Sequence, residues 1–150
     1  FDGFGDFYCL FIERGLKLLN EKGVLSFITS NKWLKTSYGD KLRNYLISDV
    51  NLYKLIDFKK TPIFKSADVD TSVIFCLKEY KKDQVVDCCS FRTLIKHEDI
   101  NQYINGNSIQ ILLNKNEPWS IADESTTNLL KKLQSIKKRL DYKKLIIKNN

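Results

Sequence analysis

Gly23-Val24-Leu25-Ser26-Phe27-Ile28-Thr29-Ser30-Asn31-Lys32-Trp33 is the stretch that decides the fold. Val24 to Thr29 is short, rich in β-formers and nearly continuously apolar, the pattern of a strand buried on both faces of a parallel sheet. Upstream, Tyr8, Phe11, Ile12, Gly15, Leu16, Leu18 and Leu19 recur at helical spacing, with Asp6 placed to cap the helix and Glu21-Lys22-Gly23 to end it. Downstream, Tyr38, Leu42, Tyr45 and Leu46 fall three or four apart, which predicts an amphipathic helix over 37–47. Leu52 to Phe58 reads as the next strand. Thr71 to Leu77 is another, and no helix fits between the two, so it is predicted to pair antiparallel with its predecessor. Helix, strand, helix, strand and a final antiparallel strand make half of a doubly wound α/β sheet.

Beyond Lys78 the composition shifts. Residues 1–58 carry 8 basic and 7 acidic side chains, whereas residues 59–150 carry 17 and 11, so the basic excess of the chain belongs to its second part. Val85 to Phe91 and Ser108 to Leu113 read as short strands, the latter with Ile109, Ile111 and Leu113 in alternation. Residues 126–140 carry a helical stripe of Leu129, Leu130, Leu133, Ile136 and Leu140 among lysines, and Lys131 to Lys148 holds eight basic residues against the single acid Asp141. The reading therefore divides the chain at 78, with a small basic α+β extension over 79–150.

With 150 residues, 43% of them hydrophobic and 12% aromatic, the chain can bury a real core, which excludes disorder as its overall state. A net charge of +7 and a pI near 9.2 favour an anionic partner such as nucleic acid without naming it. No apolar run reaches the ~20 residues that span a bilayer, and no signal-peptide pattern opens the sequence, so a soluble, cytoplasmic protein is expected. The chain opens on Phe1 and contains no methionine, which reads as a piece of something longer.

Cys9, Cys76, Cys88 and Cys89 form no C-x-x-C pair, and Cys88 and Cys89 would point to opposite faces of a strand, so neither zinc nor a disulfide framework is expected. The one histidine, His97, stands in Lys96-His97-Glu98-Asp99, a setting typical of a solvated loop or helix start rather than of a catalytic base. Asp68-x-Asp70 reads as a polar loop rather than a metal site. No glycine-rich phosphate loop precedes a strand-to-helix turn, so no active site is self-contained here. Ligands of open α/β sheets bind outside the carboxyl ends of the strands, which directs attention to the loop Thr29 to Trp33 and the loop around Phe64. From periodicity alone, Trp33 and Phe64 read as plugs at the ends of the core.

Gly5-Asp6-Phe7-Tyr8-Cys9-Leu10-Phe11-Ile12-Glu13-Arg14-Gly15-Leu16, then Gly23 to Leu34, then Tyr38-Gly39-Asp40-Lys41-Leu42-Arg43, resemble the gamma-class N6-adenine DNA methyltransferases. The likeness is strongest to the type IIG restriction-modification enzymes, which join both activities in one polypeptide. It covers residues 1–78 in consecutive order, and Pro118-Trp119-Ser120 with the basic segment after it resembles the approach to a target-recognition domain.

The resemblance implies the downstream half of a Rossmann-like, S-adenosylmethionine-dependent methyltransferase sheet with an antiparallel last strand. It implies double-stranded DNA as partner and the upstream part of the same polypeptide as a second one. The unpaired sheet edge left behind is also a place where copies could associate. The Asn-Pro-Pro-Tyr motif that holds the target amino group in this family is absent, since the prolines are Pro62 and Pro118, so the fragment alone is expected to be inactive and to bind no cofactor. Phe11 matches the aromatic that packs on the adenine of S-adenosylmethionine, with a core-facing helix residue as the other reading. Phe64, in Pro62-Ile63-Phe64, matches the aromatic lining the pocket for the flipped target adenine. Asn31 and Lys32 are candidates for shaping the site or approaching the DNA backbone. Two other functions stay open: a methyltransferase acting on RNA or protein, and a non-enzymatic basic binding module.

Overall fold

The computed structural model describes residues 7–59, 61–64, 69–91, 99–122 and 136. Helix α1 (Phe7–Leu18) leads into strand β1 (Val24–Ser30). Two 3-10 turns, Lys32–Leu34 and Ser37–Gly39, then pass into helix α2 (Asp40–Ser48). Strands β2 (Asn51–Lys59), β3 (Thr71–Leu77) and β4 (Val85–Ser90) follow, then helix α3 (Ile100–Asn107) and strand β5 (Ile109–Leu112). All five strands form one sheet in the order β1-β3-β2-β4-β5.

As expected, β3 is antiparallel to β2, with Leu55 opposite Ile74 and Ile56 opposite Val73. It also pairs along its whole length with β1, from Val24 opposite Leu77 to Ser30 opposite Thr71. Because β3 runs antiparallel to both, β1 and β2 are parallel to each other with β3 inserted between them. The helical crossover through α2 leaves that gap, and the connection over 60–70 is long enough to reach back into it. On the far side β4 runs parallel to β2, and Lys54 Nζ lies 3.1 Å from Asp87 Oδ2 across that pair. β5 closes antiparallel on β4. The sheet thus continues through the change of composition at Lys78.

One face of the sheet packs under α1 and α2. Cys9, Ile12 and Leu16 of α1 and Leu42 and Leu46 of α2 are buried there against Leu52, Leu55, Ile74 and Cys88. Gly15 lets α1 settle on β1, since a Cβ at that position would come within 3.1 Å of Leu25 Cδ1. This contact sets the phase of the helix and corrects its expected apolar stripe. Cys9 is buried, while Phe11 and Leu18 are exposed, Phe11 standing about 100° around the axis from Ile12.

The opposite face holds Ile56, Phe58, Cys89, Phe91 and Ile104, with α3 covering the β4 side. Cys88 and Cys89 do point to opposite faces. β1 departs from its expected double burial: Val24 and Ile28 are 53% and 45% exposed, because β1 is an edge strand with no described element over that face.

The expected helix over 37–47 begins as a 3-10 turn and becomes α-helical at Asp40. α3 was not anticipated, because its polar sequence, with a glycine and three asparagines, carries only the short stripe Ile100, Tyr103, Ile104. Among the described residues no helix is long and apolar enough to cross a membrane. Asp6, His97, Asp68 and the basic segment, including nearly all of 126–140, lie outside the described residues.

Candidate functional site

The parallel strands β1, β2 and β4 bring their carboxyl ends to one edge of the sheet, where ligand sites of α/β proteins form. The loop leaving β1 is firmly built. The Asn31 amide donates to the Asp70 carbonyl at 2.9 Å, and the Asn31 carbonyl accepts from Leu34 N–H at 3.0 Å.

Trp33 is fully buried, donates its indole N–H to Ser72 Oγ at 3.3 Å, and meets Trp119 edge-on with ring centroids 5.7 Å apart. It is a core residue, as its periodicity suggests. Trp119, from the Pro118-Trp119-Ser120 segment, is pinned in turn by its own amide on the Leu34 carbonyl at 2.7 Å. Beneath this loop the buried Arg43 guanidinium donates to the Trp33 carbonyl, to the Thr36 carbonyl at 3.0 Å and to Asp40. Burial lowers the Arg43 pKa and the Asp40 charge opposes that shift.

The end of β2 is tied to this loop. Asn31 Nδ2 donates to Asp57 Oδ1 at 2.8 Å, and the same oxygen accepts the backbone N–H of Lys59 at 3.0 Å. Lys59 has a left-handed backbone, with φ 49°. Past it, Thr61 N–H donates to the Phe58 carbonyl at 2.9 Å, and Ile63 packs into the second-face cluster. Phe64 follows these two anchors and is 44% exposed, so it does not plug the core. Lys32 is exposed, and its backbone N–H donates to Ser30 Oγ at 3.3 Å.

Phe11 lies on α1, one turn before the Gly15 contact with Leu25. The helix runs back along β1, with Gly15 over Leu25 and the Tyr8 hydroxyl 2.9 Å from that of Tyr38 beyond the strand's end. The N-terminal half of α1 therefore sits toward the carboxyl edge. Phe11 is 62% exposed, which removes the core-facing reading of this residue, and Phe7 and Leu10 are exposed beside it.

The structure thus brings Asn31 and the turn before Phe64 together directly, while Phe11 lies on a separate element. Sequence reasoning missed Asp57. Its signal was an acid inside the apolar run Leu55-Ile56-Asp57-Phe58, and a buried carboxylate of that kind needs donors. The cysteines offer no nucleophile: burial pushes the Cys76 and Cys88 thiols up to about 12. Among the described residues no cluster of His, Cys, Asp or Glu could hold a metal ion.

Residues 1–64 match the Eco57I restriction-modification methylase family. The Escherichia coli protein "Type II restriction enzyme and methyltransferase RM.Eco57I" is 29% identical over 136 residues, a match covering 90% of this chain and 13% of that protein. A nuclease-deletion mutant of the Type ISP restriction-modification enzyme LlaGI, solved with a DNA substrate mimic, superposes with a TM-score of 0.60 at 15% identity, over 81% of this chain and 12% of that one. A Listeria monocytogenes protein assigned to the class I S-adenosylmethionine-dependent methyltransferases superposes with a TM-score of 0.51 at 21% identity, over 65% of this chain and 31% of that one. The mixed sheet is accordingly part of a Rossmann-like methyltransferase fold, and the chain spans a small share of the proteins it matches.

Proposed function

We propose that this chain, a segment of a restriction-modification methylase, helps to form a DNA methyltransferase that moves a methyl group from S-adenosylmethionine to adenine N6. Its own contribution is a wall of the pocket for the extruded target base. The observation that carries this reading is Phe64, an exposed aromatic ring at the carboxyl edge of the sheet, held there by the Thr61 and Ile63 anchors. A base must leave the duplex stack to be methylated, and an aromatic face in the pocket recovers part of that cost.

S-adenosylmethionine, when bound, supplies the methyl group. The described residues fit one wall of its site rather than enclose it. Phe11 presents an open ring on α1, and the sequence holds no glycine-rich phosphate loop before a strand-to-helix turn. With no Asn-Pro-Pro-Tyr in the sequence, the acceptors that hold the target amino group come in this reading from another segment of the polypeptide. That upstream segment also covers the exposed Phe7, Leu10 and Leu18 of α1 and pairs with the outer edge of β1, which has no partner strand among the described residues.

Residues 1–78 serve the catalytic part and 79–150 lead toward target recognition, their lysines engaging phosphates in a salt-dependent way. DNA as the substrate puts the activity in the cytoplasm.

The test is methyl transfer by the full-length parent protein from labelled S-adenosylmethionine to DNA, with the product digested and examined for N6-methyladenine. A base–aromatic stack contributes about 1–3 kcal/mol, so Phe64→Ala should slow transfer roughly 10- to 100-fold while DNA affinity stays within about twofold. Equal losses in rate and affinity would overturn the pocket role, and label found only in RNA or protein would overturn the substrate.

A further inference from the structure

Asp57 is only 4% exposed, yet no cation is among its described contacts. Its Oδ1 instead accepts two neutral donors, Asn31 Nδ2 from the loop after β1 and the N–H of Lys59, the last residue of β2. Its backbone carbonyl accepts a third, Phe91 N–H at the end of β4, at 2.9 Å. One residue therefore joins the carboxyl ends of all three parallel strands.

The local backbone gives this joint something to control. The β2–β3 register slips between Asp57 and Lys59, where a bulge bends the strand, and Lys59 takes up the left-handed conformation that a residue with a Cβ rarely adopts. The carboxylate oxygen accepts the amide of that very residue. From there only Thr61 and Ile63 intervene as anchors before Phe64. Asn31 is held on its own side by backbone hydrogen bonds with Asp70 and Leu34, so the Asp57 carboxylate is braced against an anchored loop.

We propose that Asp57 is a positioning residue for the target-base pocket. By accepting from Asn31 and Lys59 through one oxygen, it sets the turn that presents Phe64 relative to the loop after β1. This assignment rests on the pocket role of Phe64. It gives Asn31 a bracing task within the protein in place of a contact with the DNA backbone. The tie is mainly geometric: both donors are neutral, and an amide oxygen also accepts from them, though more weakly than a carboxylate.

The experiment uses the full-length methylase and reads three quantities: single-turnover methyl transfer, DNA affinity by anisotropy, and the fluorescence of 2-aminopurine at the target position. Misplacement of a reacting group by about 1 Å costs on the order of 100-fold, so Asp57→Ala should slow transfer roughly 10- to 100-fold and reduce the 2-aminopurine signal, with DNA affinity within about threefold. Asp57→Asn should stay within about threefold of the parent rate, since its oxygen still accepts. Asn31→Asp sets two carboxylates face to face and should behave like Asp57→Ala.

If Asp57→Ala does not fold, Asp57→Asn and Asn31→Asp still decide the matter. A rate lost roughly tenfold or more in Asp57→Asn, or a parent rate in Asn31→Asp, overturns the proposal. So does a normal rate in a folded Asp57→Ala. Phe64→Ala run alongside separates the two readings: if it is silent, the pocket itself fails, and if it alone is slow, only the positioning role fails.

Discussion

Replacing Arg43 by methionine should cost about 2–3 kcal/mol of stability, and the figure can be built from the contacts of the guanidinium. It donates to the carbonyls of Trp33 and Thr36 and to Asp40. Hydrogen bonds from a charged donor contribute ~1.5–3 kcal/mol, and a carbonyl left unpaired in the interior costs ~1–3 kcal/mol. The Trp33 carbonyl stays dry after the change because the residue is fully buried, whereas the half-buried Thr36 can turn to water. The Asp40 side chain is 47% exposed, so its ion pair adds only ~0–1 kcal/mol.

Against these losses stands the desolvation of the guanidinium, visible in its lowered pKa and in an Nε with no partner, a cost that methionine removes. The net remains destabilising because the carbonyl penalty persists. Urea unfolding followed by tryptophan fluorescence is the natural assay, since Trp33 and Trp119 report the packing directly above Arg43. Arg43→Lys, which reaches one carbonyl at most, should fall about halfway, and Asp40→Ala should lose less than about 1 kcal/mol. A methionine variant within ~0.5 kcal/mol of the parent would show that the guanidinium only breaks even against its desolvation, and would refute this account.

Two further changes probe the same packing. Gly39→Ala places a Cβ against the Trp33 carbonyl, a backbone atom that cannot step aside, so its melting temperature should drop by several degrees, and an unchanged melt would refute the close approach. The thiols of Cys76 and Cys88 rise from 9.0 to about 12 through burial. The unfolded chain therefore releases these protons first. Stability should be complete below pH 9 and fall by about 1.4 kcal/mol per thiol for each pH unit as pH rises toward 12. Urea titrations from pH 8 to pH 11 should show this slope, and Cys76→Ala should roughly halve it, whereas a slope unchanged in that variant would place its origin elsewhere.

The strands and the first two helices were legible because each carries its own period: Thr71 to Leu77 was read to the residue, and Leu52 to Phe58 to within one residue at each end. Periodicity is local, however, and three features of this molecule are not. The insertion of β3 between β1 and β2 depends on two strands some forty to fifty residues apart in sequence, Ser30 facing Thr71 and Val24 facing Leu77. The phase of α1 depends on a close approach of Gly15 to Leu25, and so Phe11, part of the apolar spacing in sequence, stands outside the core that Cys9 enters. α3 has almost no signal of its own, and its place is secured by Tyr103 against Phe91, 4.7 Å between ring centroids.

The candidate site divides along the same line. Phe64 and Asn31 could be singled out because they lie in loops at strand ends, and for Phe64 it was the resemblance carried by Pro62-Ile63-Phe64, not its periodicity, that pointed to a pocket role. Asp57 could not, because in sequence it belongs to an apolar strand, and the residues that explain it are 26 positions upstream and two downstream. A buried carboxylate in such a run is costly unless donors converge on it, so its presence implies a convergence that must come from elsewhere in the fold. β3 creates that convergence by holding β1 and β2 parallel and one strand apart, close enough for Asn31 to reach across. The joint at the carboxyl edge is therefore a product of topology. A substitution in the middle of β3 that loosened its pairing with β1 should disturb the Asn31–Asp57 contact without touching either residue.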